Sequence, residues 1–150
     1  MEQIEPAYVT FEQGKKLKEK GFNVECRNYY LEKDKALHEG FEDEYWGDYR
    51  CRNWNADVIG IKPFQGFVSA PEQWQIVEWL RVNHGIHIEV SCDVYGELWY
   101  ANLFVCSKEV WEDEDKRHNI LTANRKFINE HKSKKEAYSA AFEHTLNKLI

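Results

Sequence analysis

The sequence predicts an α+β fold, a small antiparallel sheet packed by helices. Three observations carry that expectation. Residues 86–105 read as a hairpin: Ile86, Ile88 and Val90 alternate with His87, Glu89 and Ser91, Asp93-Val94-Tyr95-Gly96 supplies a turn, and Leu98 to Val105 returns. One or more short strands from 27–61 extend the sheet. Helical spacing recurs at about 11–20, 70–84 and 134–149, each time behind a capping signal. At 150 residues the chain fits one domain, 1–150, with an acidic-aromatic insertion at 32–68 and a polar segment at 107–132.

Each element has a local cause. Thr10 and Gln13 form a capping box for the first helix. Gly21 suits the left-handed position after its last turn, which lets Phe22 fold back on Leu17. Asn28 to Leu31 reads as a strand, and Asp57 to Ile61 as another. Ser69 and Glu72 suggest a second capping box, with Pro71 in the first turn, where its missing N–H costs nothing. Trp74, Val77, Leu80 and Arg81 then follow at helical spacing, Ile76 and Trp79 broaden the apolar side, and Gly85 ends the helix. In the hairpin, aliphatic pairing places Val90 opposite Ala101, Ile88 opposite Leu103 and Ile86 opposite Val105, because a one-residue slip would put Ile88 beside Asn102. The aliphatic face is expected to meet the second helix. Part of the polar segment, about 119–130, is expected to be helical. Ser133 and Glu136 cap the last helix, which carries Ala137, Tyr138, Ala141, Phe142, Thr145 and Leu149 along one side. That helix is expected to cover the sheet or pack on the second helix.

Composition narrows the function. There are 26 acidic and 20 basic residues, for a net charge of −6. This disfavours nonspecific nucleic-acid binding, which needs a positive surface. A weak nucleic-acid binder is retained only as a second alternative, through the lysines of the first helix with Arg50, Arg52 and Trp54. No run approaches the roughly 18 apolar residues of a membrane helix. The N-terminal segment has acids where a signal peptide has bases, so a cytoplasmic protein without a membrane partner is expected. Cys26, Cys51, Cys92 and Cys106 are then reduced thiols, and none falls in a C-x-x-C pair. They read as small hydrophobes in or near the core. Neither a metal nor a cofactor is expected, and the common nucleotide-binding and hydrolase signatures are absent.

Two sets of residues stand out. The 6 Trp, 8 Tyr and 8 Phe exceed what a core of this size needs, so some should lie at a surface that binds protein. Tyr45, Trp46, Tyr49, Trp54 and Trp111, beside runs of acids, are the candidates; a solvated charge run is the plainer reading. The alternative set is the polar hairpin face of His87, Glu89, Tyr100 and Asn102, where a histidine beside a carboxylate could act as a general base. Antiparallel sheets commonly leave one face wet, so a simple solvated face would look the same.

The segments SAPEQWQIVEWLRVNHGIHIEV, YGELWYANLFV, YVTFEQGKKLKEKGF and EAYSAAFEHTLNKLI occur in an order that resembles small uncharacterised proteins of phages, prophages and mobile elements of gut anaerobic bacteria. The resemblance covers about half the chain, through caps and core positions. It implies a mobile-element origin and a bacterial host cell, and carries no activity or site residue across. The expected function is therefore an accessory protein, leaning non-enzymatic, that binds a protein, either a host factor or its own copy. A small-ligand binder or enzyme using the polar hairpin face is the alternative.

Overall fold

The α+β class holds in the computed structural model, which describes residues 6–45, 47–55, 58–59, 62–63, 66–126 and 130–150. The chain divides into two compact units, 1–75 and 76–150. Among the described residues no helix is long and apolar enough to cross a membrane.

In the first unit, α1 (Phe11–Glu19) begins at the Thr10–Gln13 capping box and stops as expected. Gly21 takes φ +81°, and the Phe22 N–H reaches the Leu17 carbonyl at 2.9 Å. Then come β1 (Asn28–Leu31), β2 (Leu37–Glu39), β3 (Phe41–Asp43), β4 (Gly47–Tyr49), β5 (Val58–Ile59), β6 (Lys62–Pro63) and β7 (Phe67–Ala70). The main sheet is antiparallel in the order β2-β1-β7, while β3–β4 and β5–β6 pair separately. Of the strand expected over 57–61, Val58 and Ile59 form β5, and Asp57, Gly60 and Ile61 lie outside the described residues. Helix α1 lies on β7, and Gly14 makes the approach close: a Cβ there would sit 3.0 Å from Val68 Cγ1.

Aromatic rings fill this unit. Tyr29 lies 4.2 Å from Trp54 and 4.9 Å from Phe67, centroid to centroid, and Phe41 stacks on Tyr49 at 5.4 Å. Strands of two to four residues send only one or two side chains inward, so large rings must supply the buried area. The Trp54 indole is satisfied as well as buried, donating to the Cys26 carbonyl at 2.7 Å.

The second unit takes in most of α2 (Gln73–His84), followed by β8 (Ile86–Cys92), β9 (Trp99–Val105), α3 (Lys108–Glu112), α4 (Glu114–Lys126) and α5 (Lys134–Lys148). The start of α2 corrects the expected cap. Ser69 is a strand residue opposite Tyr29, and its N–H is taken by the Asn55 side chain at 3.0 Å. The turn is closed later, by Gln75 Oε1 accepting the Glu72 N–H at 3.0 Å. Along α2, Ile76, Trp79 and Leu80 are buried, whereas Trp74 and Arg81 face solvent.

The hairpin has the expected register, from Ile86 opposite Val105 through Ile88–Leu103 and Val90–Ala101 to Cys92 opposite Trp99. Among the described residues it forms a two-stranded sheet of its own, without the short strands from 27–61 that were expected to extend it. Helix α5 lies against both strands and α4 against β9, so the C-terminal helices, not α2 as expected, provide most of the cover. Ala137, Ala141, Phe142, Thr145 and Leu146 are the buried residues within α5. Helix α4 starts at Glu114, five residues before the expected 119, and the expectation for 127–129 lies outside the described residues. The outer edge of β9 is closed at two points. Asn124 bonds both backbone groups of Leu103, and His131 bridges Trp99 at 3.0 and 3.1 Å. An open edge invites pairing with another chain, and these contacts block it.

Candidate functional site

Among the described residues of the second unit, the tip of the β8–β9 hairpin is the most exposed apolar feature. The Asp93 N–H donates to the Leu98 carbonyl at 2.9 Å, and the Asp93 carbonyl accepts the Gly96 N–H at 3.1 Å. The Asp93 carboxylate also accepts the N–H groups of Glu97 and Leu98, at 2.9 and 3.3 Å. Gly96 sits at φ +71°, a conformation that L residues rarely adopt. These bonds hold the turn in one shape and leave Val94 92% and Tyr95 83% exposed at its apex. Asp93 and Glu97 flank the pair with negative charge. Sequence reasoning identified the turn and passed over its side chains. The available signal was two apolar residues in a hairpin turn, where polar residues are the norm.

The expected aromatic set divides. Tyr45 is 91% exposed in the turn between β3 and β4. Trp111 on α3 is 57% exposed. The Arg117 guanidinium lies 5.5 Å from its ring centroid and donates to its carbonyl at 2.8 Å. Tyr49 and Trp54 are corrections: both are buried in the ring cluster of the first unit and cannot present a face to a partner. Trp46 lies outside the described residues.

Arg50 and Arg52 are also engaged locally. The Arg50 side chain grips the Asp48 carboxylate at 3.0 and 2.7 Å, and its backbone N–H adds a third bond at 2.9 Å. Together, with the side chain foremost, they hold Asp48 far below the usual carboxylate range. Arg52 donates to the Asp48 carbonyl and stacks 5.1 Å from the centroid of Tyr49.

On the polar hairpin face, Glu89 pairs with Asn102, Ser91 with Tyr100 and His87 with Phe104. Glu89, Ser91 and Phe104 are exposed, while His87, Tyr100 and Asn102 are half-buried. No hydrogen bond joins His87 to Glu89, and the buried Nδ1 of His87 has no partner among the described residues. A general base needs its ring oriented by such a contact.

The cysteines also differ from expectation. Cys26 is buried, and burial pushes its thiol up to about 12. Cys51, Cys92 and Cys106 are exposed and not core residues; all four are free thiols. Among the described residues no group of His, Cys, Asp or Glu is placed to hold a metal ion.

Compared with models of protein families, with curated proteins and with solved structures, the chain matches none of them.

Proposed function

We propose that the protein acts by binding another protein, with Val94 and Tyr95 at the β8–β9 tip as the anchors. The observation that supports this reading is a turn tied by Asp93 that projects two apolar side chains almost entirely into solvent. A tip held in one shape loses little freedom on binding, and tyrosine is among the residues that dominate interface energies. The carboxylates of Asp93 and Glu97 favour a partner with an apolar socket rimmed by Lys or Arg. Tyr45 and Trp111 are further contact residues in their own units. The mobile-element origin implied by the resemblance belongs to the same proposal, with a factor of the bacterial host's cytoplasm as the partner.

The test is affinity capture from bacterial lysate with the wild-type chain and with a Val94→Ser, Tyr95→Ser variant matched for circular dichroism. The expected result is one protein enriched by the wild type, with affinity reduced about tenfold or more in the variant, as for loss of a hot spot. Equal capture by both, or no enriched protein, overturns the proposal. Self-association of the purified chain through the same tip, seen by sedimentation, would replace the host factor with a second copy.

A further inference from the structure

In the first unit, the start of α2 carries an exposed indole fixed beside a carboxylate. Trp74 is 64% exposed, and its Nε1–H donates to Glu72 Oε2 at 2.8 Å. Glu72 is itself held: its N–H donates to Gln75 Oε1 at 3.0 Å, and its backbone bridges Tyr8. The indole bond ties the edge of the ring and leaves the ring open to solvent. Donating to a carboxylate also shifts electron density into the ring, which deepens the negative potential over its face.

A comparison with Trp111 shows what Trp74 lacks. In the second unit the Arg117 guanidinium lies 5.5 Å from the Trp111 ring centroid. Among the described residues no Lys or Arg stands over Trp74 in that way, and none pairs with the Glu72 carboxylate. The local charge calls for a cation as well. Arg27, which with Glu72 lies near Tyr8, is bound by Glu39 through Nε, at 2.8 Å, and through Nη2, so that pair is neutral. Glu25, whose carbonyl accepts from Gln75 Nε2 at 3.1 Å, adds an exposed carboxylate with no ion pair among the described residues. The N-terminus of α2 supplies roughly half a positive charge. The carboxylates of Glu72 and Glu25 outweigh it.

We infer that this surface docks a partner polypeptide through an arginine side chain. The guanidinium stacks on the Trp74 ring and donates to Glu72 Oε1, since a carboxylate keeps lone pairs beyond the one the indole takes. Tryptophan is the best aromatic partner for a cation, and a planar guanidinium can lie on the ring while its fork reaches a carboxylate at the ring's edge. The ammonium of lysine is a compact point charge and cannot do both as well. The surface shares no residue with the hairpin tip, so either proposal can fail without the other.

The test is an NMR titration of the full chain, at constant ionic strength, with three capped tripeptides that carry arginine, lysine or citrulline between glycines. Citrulline has the shape of arginine without its charge. The indole N–H of Trp74 should shift saturably with the arginine peptide, with half-saturation in the millimolar range, because one side chain is a small part of an interface. The indole N–H of Trp111, whose ring already has Arg117 over it, should stay in place. Glu72→Gln keeps an oxygen for the Trp74 indole and removes the charge; half-saturation should rise about threefold or more, as for loss of one exposed charge contact. The absence of a saturable shift at Trp74, an equal shift with the citrulline peptide or at Trp111, or an equal half-saturation in Glu72→Gln overturns the inference. Half-saturation by the lysine peptide at the same or a lower concentration overturns the assignment to arginine.

Discussion

Asn124 on α4 closes both backbone hydrogen-bonding groups of Leu103 on β9: its Oδ1 accepts the Leu103 N–H at 2.8 Å, and its Nδ2 donates to the Leu103 carbonyl at 2.9 Å. One amide side chain thus takes the place of a third strand at that point. Leu103 is 1% exposed, so water cannot stand in for the amide. Asn124→Ala should cost about 1–3 kcal/mol, the penalty for buried polar groups left unpaired. Urea unfolding gives the energy. Amide hydrogen exchange locates it: protection should fall at Leu103 and persist at His87, whose N–H faces β8's partner strand. Unchanged exchange at Leu103 would show that the clip is not formed in solution.

Two tryptophans that look alike in sequence should behave oppositely. Trp54 is fully buried and hydrogen-bonded, and Trp111 is more than half exposed. Trp54→Ala should destabilise the first unit by about 3–5 kcal/mol, and Trp111→Ala should stay within about 0.5 kcal/mol. Denaturant titration of the two variants is sufficient. A small effect at Trp54 would contradict the ring cluster.

The thiols give a pH-dependent prediction. Cys26 has an ordinary value of 9.0, and burial raises it to about 12, with the nearby Cys51 thiol adding to the rise. Between those values the folded chain holds a proton that the unfolded chain has released. The stabilisation is therefore complete below about pH 9 and is lost as pH rises towards 12. Cys26→Ala should flatten the fall in stability over that window. At neutral pH, a thiol reagent should label Cys51, Cys92 and Cys106 and reach Cys26 only on unfolding. Rapid labelling of all four in the folded chain would refute the assignment.

Gly85 carries two separable constraints, a positive φ and the contact with Ser107. Gly85→Ala should cost more than about 1 kcal/mol, because both the backbone and the packing resist a side chain there. Adding Ser107→Gly removes the obstructing Cβ and Oγ but not the backbone strain. The double variant should therefore show a coupling energy while remaining less stable than wild type. Strict additivity in thermal melts would mean that the two residues do not touch.

Elements whose cause is local were legible in the sequence. The Thr10–Gln13 box, the Gly21–Phe22 stop and the Ser133 cap each need only a few neighbouring residues to satisfy orphan backbone groups. The last of these differs in one bond: Glu136 Oε2 accepts from the Lys132 N–H at 3.0 Å. The hairpin register was legible too, because alternation with a two-residue period permits few slips once one face must be apolar. The Ser69 cap was misread. Its side chain and spacing fit a capping box, but β1 and Asn55 claim the residue for a strand, and both are distant in sequence.

The candidate surface was less legible. Tyr49 and Trp54 resembled binding residues because they belong to a stretch, 41–54, that mixes acids with rings, and neighbours in sequence say little about burial in a unit of very short strands. Val94 and Tyr95 were hidden for the opposite reason: a turn is read for its backbone, and its side chains are noticed only once nothing is found to cover them.

The sequence by itself therefore determined the α+β class, the hairpin register and most helix ends, since these follow from periodicity and capping within a few residues. Only the tertiary structure decided that the rings of the first unit form a core, that α4 and α5 cover the hairpin, and that Trp74 stays exposed. Those outcomes depend on which distant segments meet. A residue's own chemistry shows what it can do once buried or exposed, but not which of the two it will be.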